Sequence, residues 1–203
     1  MGDVGTIGGM GIARTIAMVI GLTATIAAEP PAVKIELANG TLREQRTKIR
    51  LQRLLTTQDL KKFTFTDRVV IDEHAIDHAF PVITLNAEFA NSSDDLISSY
   101  IHEQLHWHMH DVEDRQRSAV DELRRLYPKV PVGLPQGGDT EASTYGHLVD
   151  CYLEMIADRN LFGPERTKVV LTNKNRYTWV YNTVMRDEER IAAVVNRYQL
   201  RVK

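Results

Sequence analysis

The sequence predicts an α+β domain, mostly helical, in which a small sheet precedes the principal helices. Two short β-branched runs, Arg68 to Ile71 and Pro81 to Leu85, lie close together ahead of a long stretch in which apolar residues recur at helical spacing. The 203 residues, 43% of them hydrophobic and 26% charged, suffice for one sizeable core, so residues 32–203 are expected to form a single domain.

The segment before that domain reads differently. Thr15 to Ala28 is a charge-free, mostly apolar run after Arg14 and before Glu29-Pro30-Pro31, so residues 1–31 resemble a signal-like or flexible start. Export to the periplasm or outside the cell is expected if that run is a signal peptide, and a cytoplasmic location otherwise. The run is short for a membrane span, which needs about 20 apolar residues. The glycine-rich stretch Gly5 to Gly11 follows no strand and so lacks the context of a phosphate-binding loop.

Thr41 to Phe63 places Leu42, Ile49, Leu51, Leu54, Leu55 and Leu60 among basic and polar residues, which predicts an amphipathic helix. The two strands follow it, the second starting at Pro81, a residue suited to a strand start or an edge. Ser92, Ser93, Asp94 and Asp95 supply a cap and first-turn negative charge for a helix from about Asp94 to His110. A further helix carries Ala119, Val120, Leu123 and Leu126 and ends near Tyr127-Pro128. Pro128 to Asp139, rich in proline and glycine, is a loop placed where it can shape a cleft. A helix capped by Asp139 or Thr140 then runs to Phe162-Gly163-Pro164, and a last one spans Tyr177 to about Leu200.

Composition narrows the chemistry. Cys151 is the only cysteine, which excludes a disulfide framework and a cysteine-rich zinc site and reads as a core residue. With a formal net charge of −2 and charges interspersed along the chain, neither a nucleic-acid footprint nor an acidic-lipid surface is expected.

The sharpest motif is His102-Glu103-Gln104-Leu105-His106, an H-E-x-x-H sequence inside a predicted helix. Residues four apart share a helix face, so His102 and His106 can converge on one Zn2+ ion, while Glu103 lies beside it as a general base for an activated water. Catalytic zinc takes a third protein ligand. His110 cannot supply it, because eight residues of helix advance about 12 Å. Met109 and Val112 stand where a metzincin carries glycine and histidine, so that family is excluded. Trp107, His108 and His110 read as helix-surface groups or as support for the ligands. Nor do the aromatic residues Tyr177, Trp179, Tyr181 and Tyr198, lacking an interleaved basic stripe, suggest more than packing.

On the later helix, Glu154-Met155-Ile156-Ala157-Asp158 completes a pattern that resembles the gluzincin zinc peptidases, in which the H-E-x-x-H helix is followed by one bearing a glutamate ligand. The resemblance covers only short motifs between about Pro81 and Asp158. It implies a zincin-like fold, Glu154 as third ligand, Asp158 as hydrogen-bond partner of a zinc histidine, and a substrate-lining edge strand over Val82 to Asn86. His147 competes with Glu154, since the two share a helix face, and two turns separate them by about 10 Å, so only one can reach the ion. Glu141 is a more remote candidate. The residue that is not a ligand, or Tyr145, can stabilise the oxyanion of a tetrahedral intermediate. The expected activity is hydrolysis of a peptide or protein substrate. Hydrolysis of a non-peptide substrate, or a non-catalytic binding module on the same fold, is the alternative. His74 and His78, before the second strand, are candidates for the cleft wall.

Overall fold

The computed structural model describes residues 1, 2, 5, 32–87 and 92–202. By its contacts the chain divides into Met1–Pro30 and Pro31–Lys203. The signal-like run lies outside the described residues, as does most of the glycine-rich start. No helix among the described residues is long and apolar enough to cross a membrane.

The second unit is α+β: three parallel strands in the order β1-β2-β3, and seven α-helices among the described residues. Strand β1 is Lys34–Leu37, β2 is Arg68–Asp72 and β3 is Ile83–Asn86. Helix α1, Leu42–Thr57, connects β1 to β2 and packs on both. Its start is a capping box in which Thr41 and Glu44 bond each other's backbone N–H. The Glu44 carboxylate reaches further, accepting from the N–H of Asn39 (2.9 Å) and Gly40 (2.7 Å), the Asn39 side chain (2.8 Å) and the N–H of Glu73 (3.3 Å). One buried side chain therefore ties the β1–α1 turn to the end of β2.

Strand β1 was not among the expected elements. It has only four residues directly after the proline junction, and its pairing partner, Ile35 opposite Val69, lies more than thirty positions away. The expected helix from Thr41 to Phe63 ends at Thr57, and a separate 3-10 turn covers Lys61–Phe63. Helix α2, Ser93–Asp111, is capped by Ser92, whose hydroxyl accepts from the Asp95 N–H at 3.1 Å. Helix α3 is Glu113–Leu126 and α4 is Glu141–Phe162, capped by Thr140. An unexpected helix, α5 (Pro164–Thr172), starts with proline in its first turn. The expected last helix is two, α6 (Thr178–Arg186) and α7 (Glu188–Arg197). They break at Asp187, which accepts from the Tyr127 hydroxyl at 3.1 Å and precedes two glutamates suited to a new helix start.

The core lies between the sheet and α2 and around α4, which contacts α2, α3, α5, α6 and α7. Helix α4 is correspondingly buried nearly all round, Leu148, Val149, Cys151, Tyr152, Leu153 and Met155 packing in the core beside a buried polar line of His147, Asp150, Glu154 and Asp158. The crossing of α2 over α4 brings the two motif-bearing helices together.

Candidate metal centre

The H-E-x-x-H residues sit in the third and fourth turns of α2, held by groups around them. Gln104, an unspecified position of the motif, is fully buried. Its Oε1 accepts from the N–H of Phe65 (2.7 Å) and Thr66 (2.9 Å), and its Nε2 donates to Thr66 O (2.8 Å) and the Tyr100 hydroxyl (3.0 Å). Trp107 donates from Nε1 to Ala79 O at 3.0 Å, fixing α2 to the segment ahead of β3. These anchors on both sides of His106 limit rotation of the helix. His108 is half-buried, donates to Leu200 O at 3.0 Å and stacks on Phe65, and His110 is exposed; neither lines the site.

His102 and His106 face a cavity of about 630 Å³ whose wall also includes Asp77, His78, Phe80, Glu103, His147 and Tyr177. One ligand atom from each of His102, His106 and His147 lies within 4.8 Å of the other two. Each ring is oriented through Nδ1. That of His102 donates to Glu154 Oε2 at 2.8 Å, that of His106 is 3.4 Å from Asp150 Oδ2, and that of His147 donates to Ser143 O at 2.7 Å. A backbone carbonyl only accepts, so Nδ1 of His147 carries the proton and its Nε2 keeps a lone pair.

The electrostatics favour neutral rings at two of the three positions. Burial and the charge of His102 push His147 down to about 4, and burial with the charges of His102 and His147 takes His106 well below its ordinary value. Burial opposes the charge on His102, but the adjoining Glu154 carboxylate prevails and raises its pKa well above the usual range.

Glu154, expected as the third ligand, is placed elsewhere. It is fully buried behind His102, and both oxygens are engaged: Oε1 accepts from Ser98 Oγ (2.6 Å) and pairs with Lys174 Nζ (3.1 Å), while Oε2 accepts from His102 and from the Tyr181 hydroxyl (2.7 Å). Burial alone disfavours its charge, yet Lys174 and His102 hold it well below the ordinary carboxylate range. A second cluster of His102, Cys151 and Glu154 also brings three ligating atoms within 4.8 Å, but it lies on the Nδ1 side of His102, where the Lys174 ammonium already supplies a cation. Asp158, expected to bond a zinc histidine, makes no hydrogen bond through either oxygen; burial and neighbouring Glu154 raise its pKa well above normal. Glu141 is exposed and does not line the cavity.

Glu103 lines the cavity, is 4% exposed, and its Oε2 is buried with no hydrogen-bond partner. Burial raises its pKa to about 8 against the attraction of His102, with Asp77 adding to the rise. Tyr145, expected as an oxyanion donor, points away from the site, its hydroxyl donating to Tyr127 O at 2.6 Å in the core.

Sequence reasoning took Tyr177 for a packing residue, yet its ring stacks on His147 at 4.0 Å and lines the cavity. It holds a left-handed conformation, φ 52° and ψ 33°, ahead of α6. The loop over residues 128–140 supports that turn from outside the cavity, Pro135 O and Gln136 O accepting from the N–H of Thr178 (2.9 Å) and Trp179 (3.2 Å). No sequence pattern marks this tyrosine, because its position depends on a contact between two loops over forty residues apart.

The expected substrate edge is also different. The outer side of β3 is occupied by its own chain, His78 and Thr84 exchanging two backbone hydrogen bonds (3.1 and 2.8 Å) and Asp77 accepting from the Asn86 N–H. The cavity is therefore bordered by Asp77 to Phe80 rather than by β3 itself. His78 lies on this border, whereas His74 does not line the cavity.

Comparison with known protein families, curated proteins and solved structures returns no match to this chain.

Proposed function

We propose that the protein is a zinc-dependent hydrolase of zincin type acting on peptide bonds, with His102, His106 and His147 as metal ligands and Glu103 as general base. The observation that carries this reading is the convergence of three histidines, with Nδ1 of His102 and His147 hydrogen-bonded and that of His106 3.4 Å from Asp150, beside a buried carboxylate oxygen with no partner. Three imidazoles form the donor set of a catalytic zinc site with an open position, and the alternative cluster behind His102 already contains a cation. A zinc ion bound there supplies Lewis-acid activation of water and of a substrate carbonyl.

The remaining roles belong to the chain. Glu103 takes a proton from the attacking water and returns it to the leaving amine, using the oxygen that no protein donor occupies. Its buried setting gives it the elevated basicity this task needs. Glu154 and Asp150 orient His102 and His106 from behind, and the Ser143 carbonyl does so for His147. Tyr177, stacked on His147, excludes water from one flank of the ligand set. An extended peptide can lie along the cavity border formed by Asp77 to Phe80.

The test is digestion of a mixed peptide library by zinc-loaded protein and by the Glu103→Gln variant. Cleavage by the wild type, reduced about 10²- to 10⁴-fold in the variant with zinc stoichiometry unchanged, is expected. Zinc binding without cleavage in either protein sinks the peptidase reading, and no stoichiometric zinc sinks the metal centre.

A further inference from the structure

Helix α1 presents a surface that the catalytic reading does not use. Glu44, Thr47, Leu51 and Leu54 are its buried face. Opposite them, Leu42, Arg46, Ile49 and Arg53 recur at intervals of four, three and four, which aligns them in one outward ridge. Leu42 is 70% and Ile49 64% exposed, so two large aliphatic side chains stand in water, alternating with two arginines. Exposed Arg43, 3.9 Å from the Glu73 carboxylate, and exposed Arg50 flank the ridge on one side. The helix has one acidic residue, Glu44, and it is turned inward, its carboxylate bonded by Asn39, Gly40 and Glu73. Along the sequence the bases of α1 appear interspersed; the helical period sets Arg46 and Arg53 on one face, away from the inward-turned Glu44.

We infer that this ridge binds an anionic bilayer surface, with the arginines at the headgroups and Leu42 and Ile49 entering the acyl boundary. Charge complementarity calls for a negatively charged partner, and the alternation of basic and aliphatic residues selects among such partners. A nucleic acid offers phosphates to the arginines but no place for two exposed aliphatic chains, and the ridge has no aromatic residue on which bases stack. A protein interface concentrates its affinity in aromatic anchors set in a desolvated centre, and none is present on this face. The headgroup region accommodates both features, since arginine stems lie along apolar surface while their heads stay in water. The association proposed for this ridge is peripheral, because the opposite face of α1 stays buried against the sheet and α2. It is reversible and salt-sensitive, and weakens roughly fivefold for each basic residue removed.

The experiment is vesicle co-sedimentation of the full chain, with phosphatidylcholine vesicles containing or lacking 30% phosphatidylglycerol. Wild type is compared with Arg46→Glu/Arg53→Glu and Leu42→Ser/Ile49→Ser, circular dichroism confirming that each variant is folded. Because the substituted side chains point outward, both variants are expected to fold. The inference requires binding to the anionic vesicles, little to the neutral ones, release at about 0.5 M salt, and a loss of roughly twentyfold or more on charge reversal. The aliphatic variant must also bind more weakly. Equal binding to both vesicle types, or binding unchanged in either variant, overturns it. So does competition by duplex DNA that depends on the arginines and is indifferent to Leu42 and Ile49.

Discussion

The carboxylate of Glu154 accepts a 2.8 Å hydrogen bond from Nδ1 of His102 and lies outside the cavity that His102, His106 and His147 line together. This places the acidic residue of the gluzincin-like pattern one contact away from the proposed ion. His147→Ala is therefore expected to abolish stoichiometric zinc binding, whereas Glu154→Gln weakens it by about 10- to 100-fold while keeping one ion per chain. Competition titration against a chromophoric chelator separates the two, and the reverse ranking would return Glu154 to the ligand set.

Tyr145→Phe removes a buried hydrogen bond to Tyr127 O and leaves the cavity untouched. The expected result is a stability loss of about 1–2 kcal/mol in urea unfolding, with zinc affinity and any turnover unchanged. A large fall in turnover at full zinc occupancy would restore a catalytic role for this tyrosine.

Glu44 gives the fold a pH dependence of its own. Burial opposes its ionisation, but the hydrogen bonds from Asn39, Glu73 and Gly40 outweigh it and lower its pKa below 4.5. A carboxylate depressed in the folded state contributes stability that is fully present above the unfolded pKa and lost as pH falls through the folded one. Glu44→Gln should thus lower the melting temperature at neutral pH, by an amount equivalent to roughly 1–3 kcal/mol. The gap between variant and wild type should close on acidification through the carboxylate range. A gap that persists at the acid end would mean the carboxylate charge is not what holds the β1–α1 turn.

Gly137 has no room for a side chain, since a Cβ there meets the carbonyl oxygen of Pro131 and approaches Thr144 Oγ1 at 2.7 Å. Its neighbours Pro135 and Gln136 carry the carbonyls that brace the turn at Tyr177. Gly137→Ala is expected to destabilise the protein by about 1–3 kcal/mol and to loosen the Tyr177 stack on His147. Thermal unfolding and zinc affinity by competition titration measure the two effects; a variant as stable as wild type would show that the loop yields freely.

Much of the architecture is local in origin and was readable as such. The cap at Ser92, the apolar repeat through Leu96, Tyr100, Ile101 and Leu105, and the Gly163-Pro164 stop fix α2 and the end of α4 through short-range backbone chemistry. The split at Asp187 had a local sign in the acidic run that follows it, whereas β1 had too few residues to stand out.

That His102 and His106 share a helix face with Glu103 beside them follows from their spacing, because an α-helix repeats every 3.6 residues whatever surrounds it. Spacing could not decide between His147 and Glu154, which share a face of α4 by the same periodicity. Which of the two lines the cavity is a matter of tertiary packing, since the level at which α4 crosses α2 depends on contacts with five other helices and fixes which turn faces the cavity. At that crossing His147 meets the motif histidines on the open side, while Glu154 is closed in by Ser98, Lys174 and Tyr181, contacts from three separate parts of the chain that no local pattern encodes.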